Sequence, residues 1–553
     1  MMKIYKENDI AIGKVTGIQN YGAFVSLDNG QTGLIHISEI SSRFVKNIED
    51  YVKIGETIRV KVLGFEEKNN YLKLSLKAVN DRERQQIKNP LSFNKPKRVK
   101  IRHDDKDFEV LRNHLDGWIN ESLEERNMIK TDFTHIIDKV DMQNYAEKVK
   151  EINKKINEKT GLGNDFLGWT TWPEDYNKEE VERMIKCAEY VRNNFDILVV
   201  CGIGGSYLGA RAAIDALKGL YSDDKLKIIY LGQTFSPTYI AQVMKYLEGK
   251  KFAINVISKS GTTTETSIAF RLVRELLIKQ VGEEASKKAI FATTDKARGA
   301  LKELCNIEGY ETFILPDDIG GRYSVLTAVG LFPIACAGVD IKEMLKGAKD
   351  SMIKYNNPDL ATNECYQYAV IRDYFYHHNK SVELFVTYEP SLTQIGEWLK
   401  QLFGESEGKE KKGLFPGSVT FSTDLHSLGQ FIQDGSPILF ETIIKVNKPF
   451  IDIEVPHDDA NLDGLNYLEG KKLSFVNEQA MQGTLKAHEE DGHVPNIIIS
   501  VDKMDAYSLG GLFYFFMRAC AMSAYLLEIN PFNQPGVEIY KKNMFHLLGK
   551  KGY

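Results

Sequence analysis

Two kinds of hydrophobic spacing divide the chain. Up to about residue 80, apolar and polar positions alternate in GKVTGI, YGAFVSL, TGLIHI, TIRVKVLGF and YLKLSLK, with DNG and EEKNN between runs. Period-two segments punctuated by such turn residues predict short strands, here closing a small all-β barrel. From about residue 126 the spacing changes. Apolar runs at Ile197–Val200, Ile228–Leu231, Phe252–Ile257, Ala289–Thr293, Val382–Tyr388 and Ile497–Val501 are mostly separated by stretches of helical period. That order predicts α/β architecture built on parallel strands. It divides into two doubly wound subdomains, about 180–335 and 336–505, and a helical C-terminal arm at 506–553. Between barrel and α/β part, residues 81–102 carry eight Lys/Arg against two acids, with Pro90 and Pro96 as helix breakers. Phe108, Leu111, Leu115, Trp118, Ile119 and Leu123 then trace one helical face. The predicted parts are therefore 1–80, a basic linker with an amphipathic helix at 81–125, and 126–553.

Composition mainly excludes. The chain has 553 residues, 43% hydrophobic and 27% charged, as a soluble globular protein does. A formal net charge of −5 gives no global attraction to nucleic acid or acidic membranes. Six scattered cysteines without a CxxC pair argue against zinc ribbons and disulfide frameworks, and suit a reducing cytoplasm. The N-terminus lacks a signal-peptide core, and no segment reads as long and apolar enough to cross a bilayer.

The chemistry concentrates in VISKSGTTTE, 256–265. A buried strand breaks there into hydroxyl residues, and a helical pattern follows at once. Ser258, Ser260, Thr262 and Thr263 would sit at a strand's carboxyl end and a helix's amino end, where N–H groups and the helix dipole favour an anion such as phosphate. An ordinary Ser/Thr cap is the plain alternative, but four hydroxyls and Lys259 within six positions exceed what capping requires. GIGGSYLGAR (202–211) lacks the GxGxxG spacing and an acidic ribose partner, and suits close backbone approach to a sugar, with Ser206 as a donor. Further charged groups stand at predicted element boundaries: Arg322 in GGRYS, Glu405, Glu407 and Lys409 in FGESEGK, His426 in STDLHS, and Gln534 and Lys541 in NPFNQPGVEIYKKN. Singly, each has a plain reading: an ion pair for Arg322, an i,i+4 bridge for Glu405 and Lys409, a core histidine, a surface lysine.

In this order, and with EKTGLGNDFLGW at 158–169, these motifs resemble the glucose-6-phosphate isomerase family in its bacterial branch, from roughly Thr131 through Leu548. The resemblance implies paired sugar-isomerase (SIS) subdomains in a homodimer. It also implies interconversion of glucose 6-phosphate and fructose 6-phosphate through a cis-enediol, a step of glycolysis and gluconeogenesis, without metal or organic cofactor. By the same resemblance Glu405 is the base, and Glu407, two residues on, points elsewhere. Arg322 stabilises the enediolate. His426, contributed by the partner subunit and oriented by Glu265, opens the sugar ring together with Lys541. Ser258, Ser260, Thr262 and Thr263 hold the phosphate, with Lys259 near sugar or phosphate and Gly205, Ser206 and Gln534 completing the pocket. The chain ends twelve residues after Lys541, sooner than the family's terminal helix implies.

The barrel is not part of the usual isomerase. GKVTGIQNYGAFVSL, GLIHISEIS and VKIGETIRVKVLGFEEKNNYLKLSLK resemble the ribosomal S-one RNA-binding module, an OB fold. That implies single-stranded RNA on a face bearing Tyr21, Phe24 and His36, with Arg43, Lys61 and Lys73 around it. In the plain alternative Phe24 is core and His36 caps a strand. Eleven Lys/Arg against nine Asp/Glu in residues 1–80 predict weak binding by the barrel alone. Two other functions compete: a catalytically inactive sugar-phosphate sensor, and an RNA-binding regulator whose isomerase part senses or scaffolds sugar phosphates. Glu405, His426 and Lys541 occurring together count against the sensor.

Overall fold

A computed structural model describes residues 5–79, without 7–8, 20–21, 28–30, 42–47, 49–50 and 67–70, and residues 129–552, without 135. Tyr21, Arg43, the basic stretch 81–102 and the apolar stripe at 108–123 lie outside the described residues. The chain forms two compact units, within 1–115 and 116–553.

The first unit is a closed five-stranded barrel: β1 (Ile10–Gln19), β2 (Gly22–Leu27), β3 (Thr32–His36), β4 (Thr57–Glu66) and β5 (Tyr71–Ser75), in the order β1-β2-β3-β5-β4. The five alternating sequence segments supply these strands. Their inward positions, among them Ala11, Val15, Ala23, Val25, Ile35, Val60, Val62 and Leu74, are buried together.

The second unit holds two sheets. β6 (Lys130–Asp132) is its first described strand, and β7 (Ile197–Cys201), β8 (Lys227–Leu231), β9 (Phe252–Ile257), β10 (Ile290–Thr294) and β11 (Glu311–Ile314) form one sheet in the order β11-β10-β9-β7-β8, all parallel. β12 (Val382–Thr387), β13 (Phe415–Thr420), β14 (Leu439–Lys448) and β15 (Asn496–Lys503) form the other in the order β13-β12-β14-β15-β6, parallel except for β6. In the first sheet β8 lies to one side of β7 and β9 to the other. The crevice at the carboxyl ends of β7 and β9 is thus a topological switch point, the place where such sheets bind ligands. The glycine turn and the hydroxyl loop both emerge there.

The expected C-terminal arm divides in two. Helix Ala506–Leu526 is a core element, packed on helix Ile341–Tyr355 so closely that a Cβ at Gly347 would sit 1.9 Å from the Tyr507 carbonyl oxygen, and one at Gly510 1.9 Å from that of Met344. This helix corrects the reading that no segment could cross a membrane. Its length and hydropathy suffice, but its whole apolar window is buried inside the fold, and it carries the buried Arg518. Helix Pro535–Leu547, by contrast, buries no residue.

One polar network crosses this core. Arg372 is fully buried, with Nε donating to Glu383 Oε2 at 2.7 Å and both terminal nitrogens donating to the Glu407 carboxylate, Nη2 at 3.1 Å. Tyr368 and Thr442 hydroxyls donate to Glu383 Oε1, and Arg372 also reaches Ser523 Oγ at 2.6 Å. Helix Thr393–Glu407 is thereby tied by its last residue to β12, β14 and the core helix. Burial pushes the Glu407 carboxyl above its ordinary value, and Arg372 opposes the shift. Arg372→Met removes the cation shared by two buried carboxylates and should destabilise the fold by about 3–5 kcal/mol in urea unfolding. A carboxyl whose pKa is raised by folding contributes stability below its unfolded pKa that is lost as pH rises through the folded value. The Arg372→Met deficit should therefore be smaller at pH 5 than at pH 8; an equal deficit at both would show that the carboxylates do not cause it.

Candidate active site

β9 is buried along its whole length and ends at Ile257, where the chain turns through the hydroxyl loop. Ser258 is buried and its Oγ accepts from Gly261 N at 3.0 Å. Gly261 has φ +72°, and a Cβ there would lie 2.3 Å from Leu301 N, so only glycine fits this turn. Ser260 Oγ accepts from Thr262 N at 3.1 Å and from the Thr262 hydroxyl at 2.9 Å. Thr263 occupies the N-cap of the 18-residue helix Thr264–Val281, but its side chain makes no capping bond. The first-turn N–H groups therefore have no side-chain cap, which leaves a positive, donor-rich helix end. Glu265 is half-buried in that first turn. Lys259 turns aside: its Nζ lies 2.9 Å from Asp317 Oδ1 and donates to the Asp317 carbonyl at 3.2 Å. It thus joins the loop to the segment that leads to Arg322.

The glycine turn meets that segment edge to edge. A Cβ on Gly205 would sit 2.1 Å from the Gly321 carbonyl oxygen and 2.9 Å from Arg322 N, and one on Gly204 would sit 2.9 Å from Gln401 Nε2. Ser206 closes the same turn, its N–H bonded to the Ile203 carbonyl. Arg322 is 3% exposed. Its Nε donates to Ser406 Oγ at 2.9 Å, and Nη1 donates to Glu405 Oε2 and Gln534 Oε1, both at 3.1 Å. Nη2 donates to the carbonyls of Pro531 at 2.6 Å and Asn533 at 3.1 Å. All five guanidinium donors are committed, so the charge is fixed in place. Glu405 is 34% exposed, and its other oxygen accepts from Gln401 Nε2 at 3.4 Å. A partly exposed carboxylate held beside a fixed cation can exchange a proton with a bound molecule while the cation stabilises negative charge.

The structure thus brings Arg322, Glu405, Gln534, Gly205 and Ser206 together, with the hydroxyl loop alongside. Gly232 provides one link, since a Cβ on it would lie 3.1 Å from Thr266 Cα and 3.5 Å from Gly202 N. Glu407 turns away into the Arg372 network. Lys409 does not bridge to Glu405, because the helix ends at Glu407. It is half-buried instead, donating to the Asn530 carbonyl, to that of Asn533 at 2.8 Å and to Asn533 Oδ1 at 3.1 Å. Burial, reinforced by Arg322, lowers the Lys409 ammonium to about 8. Sequence reasoning missed Gln401 and Ser406, and read this lysine as an i,i+4 partner of Glu405; for Gln401 the one available signal was its place a helical turn before Glu405.

Lys541 and His426 make no hydrogen bond or ion pair to this cluster among the described residues. Lys541 pairs with Glu538 at 3.0 Å on the unburied helix Pro535–Leu547. His426 ends the short turn Thr423–His426 after β13, a turn held by Asp424 Oδ2, which accepts from Thr420 N at 2.7 Å. His426 is exposed, not a core histidine, and among the described residues it makes no hydrogen bond to Glu265.

On the barrel, Ala23, Val25 and Leu27 point inward, so Phe24 is half-buried on the outer face. Its register partners are Gly17 on β1 and Leu34 on β3, and Leu34 is in turn paired with Lys73 on β5. His36 is exposed two residues beyond Leu34. Its Nδ1 accepts from Ser38 N at 3.3 Å, capping the turn Ile37–Glu39. Lys61 is half-buried on β4.

Comparison with known proteins agrees with both halves. Residues 4–77 match the S1 RNA binding domain, and residues 179–551 match phosphoglucose isomerase. A glucose-6-phosphate isomerase of Bacillus cytotoxicus is 56% identical over 414 residues, covering 74% of this chain and 92% of that protein. Among solved structures, a hypothetical protein of Thermus thermophilus superposes with a TM-score of 0.70 at 26% identity, over 76% of this chain and 99% of its own. A glucose-6-phosphate isomerase of Chlamydia trachomatis shares the fold, with a TM-score of 0.62 at 20% identity over 74% of this chain and 85% of its own. With a family match over residues 179–551 and a relative of this identity covered almost end to end, the chain belongs to the phosphoglucose isomerase family.

Proposed function

We propose that the chain interconverts glucose 6-phosphate and fructose 6-phosphate, the two sheets forming the family's paired sugar-isomerase subdomains. The observation that carries this reading is the Arg322–Glu405 pair, 3.1 Å apart at the switch-point crevice, with Glu405 partly exposed. Glu405 takes the proton from carbon 2 of the open-chain sugar and returns it to carbon 1. Negative charge passes to the enediolate oxygens, and Arg322, whose hydrogen bonds already fix it, stabilises them without reorganising. The uncapped helix end behind Ser258, Ser260, Thr262 and Thr263 takes the phosphate, with Gly205, Ser206 and Gln534 lining the sugar and Lys259 near it. Lys541 and His426 open the ring, Glu265 orienting the histidine. The relatives' name and the family match support this scheme, and the unpaired thiols fit a cytoplasmic enzyme. Glu405→Gln should lower kcat by roughly 10²–10⁴-fold in a coupled assay, with little change in KM; full activity in that variant would overturn the mechanism.

His426 acts in the partner's site. Support comes from the lack of a bond to Glu265 within one chain and from apolar surface that a second copy would cover: Phe450 is 92% exposed, Leu462 93% and Leu547 84%. Mixing Glu405→Gln chains with His426→Ala chains under conditions of subunit exchange should restore activity. Each mixed dimer would then contain one site with both groups intact. No recovery in verified mixed dimers would place His426 in its own chain's site.

The barrel adds single-stranded RNA binding as an accessory activity, through the outer face bearing Phe24 and His36, with Tyr21 beside Phe24 in sequence. Phe24→Ala in the full chain should weaken binding of a fluorescent single-stranded RNA by about 1–3 kcal/mol in anisotropy titrations. Equal affinity of parent and variant would remove Phe24 from the interface.

A further inference from the structure

Of the three charged residues in FGESEGK, Glu405 is the proposed base and Glu407 is buried against Arg372. Lys409 has no task in that scheme, yet it is the most fully bonded lysine near the site. Its three ammonium donors meet three acceptors on a single turn: the carbonyls of Asn530 and Asn533, and Asn533 Oδ1. Arg322 grips the same turn from the other side, through the carbonyls of Pro531 and Asn533. Two cations therefore converge on the Asn533 carbonyl oxygen. The fold holds them there although they repel and Lys409 is half-buried.

The turn leads directly into groups of the site. Gln534 is the next residue and accepts from Arg322 Nη1. Helix Pro535–Leu547 comes after it, carries Lys541 and buries no residue. Its apolar residues Val537, Met544 and Phe545 are only half-buried, so the turn carries much of the burden of setting where the helix starts. Phe532 plugs the turn against Tyr323 and Tyr525, with ring centroids 5.2 and 6.3 Å away. A plugged ring fixes depth, whereas directed bonds from two cations to backbone carbonyls fix orientation.

We propose that Lys409 is a positioning residue for the isomerisation, clamping the 530–533 turn so that Gln534 and Lys541 are presented to the Arg322–Glu405 site. This rests on the reading of that site as a hexose-phosphate isomerase. The hydroxyl loop that takes the phosphate lies on another segment and does not depend on the clamp, so loss of Lys409 acts on turnover before affinity.

Steady-state kinetics on the full chain test it, with Lys409→Met, Lys409→Arg, Asn533→Ala and the Lys409→Met/Asn533→Ala double variant. Lys409→Met should lower kcat roughly ten- to a hundredfold with KM for fructose 6-phosphate within about threefold. Lys409→Arg, which keeps the charge and several donors, should recover most of the rate. Asn533→Ala deletes one exposed acceptor and spares the backbone carbonyls. It should cost a smaller part of kcat, and nothing further when Lys409 is already Met, since the two act as a unit. Unchanged kcat in Lys409→Met, a loss confined to KM, or multiplying effects in the double variant would overturn the proposal. If Lys409→Met does not fold, Asn533→Ala decides alone, and an unchanged kcat there overturns it equally. A parent chain without isomerase activity overturns the underlying reading instead, and is recognised before any variant is made.

Discussion

The site is organised around one buried guanidinium. Arg322 spends its five donors on three parts of the chain: Ser406 and Glu405 at the end of one helix, Gln534 at the start of another, and two carbonyls of the turn between helices Ala506–Leu526 and Pro535–Leu547. An isolated buried cation would be prohibitive, and a cation held by fewer groups would reorient as charge moved beside it. With every donor occupied, Arg322 is a rigid source of positive potential. That is the condition under which a site stabilises developing negative charge without reorganising.

Close backbone approaches bring the other parts to this centre. Gly204, at φ +56°, faces the end of the Gln401 side chain, and Gly205 lets the turn after β7 lie against Gly321, where a methyl group would push the two loops apart. Gly261 does the same for the hydroxyl loop against the start of the helix at Leu301. Because β7 and β9 are neighbours whose connections leave in opposite directions, their two loops open into one crevice. The uncapped helix end proposed to take the phosphate and the carboxylate–guanidinium pair are thereby set side by side by topology, and Lys259 to Asp317 adds a side-chain bridge between their segments.

Local chemistry was legible in the sequence, and long-range contact was not. The apolar run at 252–257 and the break into SKSGTTT located strand, loop and helix start, because burial on both faces and the loss of apolar character are properties of adjacent residues. The barrel strands were readable for the same reason. Strand β13 was passed over because Pro416 and Gly417 argue against a strand, which its edge position permits. Strand β14 was missed because Glu441 and Thr442 interrupt its apolar run. Both are buried, Glu441 paired with His488 and Thr442 with Glu383, partners that no local window contains. The partners of Arg322 stand 83 to 212 residues away in the chain, so its motif marked the residue while its contacts stayed hidden. Lys409 looked like half of a helical ion pair; the helix stopping two residues earlier sends it to the 530–533 turn instead.

Glu405 and Glu407 show how one helix end assigns two carboxylates to different work. Two residues along a helix amount to about 200° of rotation, so the two side chains leave on nearly opposite faces. Glu407 enters the core, where Arg372 meets it with two nitrogens while burial pushes its proton affinity up. Its part is mechanical: it anchors the last turn of the helix against β12, β14 and the buried helix Ala506–Leu526. Glu405 emerges into the crevice with a single cationic partner, and it stays 34% exposed although its second oxygen also meets Gln401. The anchoring makes that exposure useful, because a carboxylate on a frayed helix end could not hold its 3.1 Å relation to Arg322. The buried acid is therefore a precondition for the exposed one. Exchanging their environments, with the residue types unchanged, would leave the crevice without its proposed base and the core without a tie.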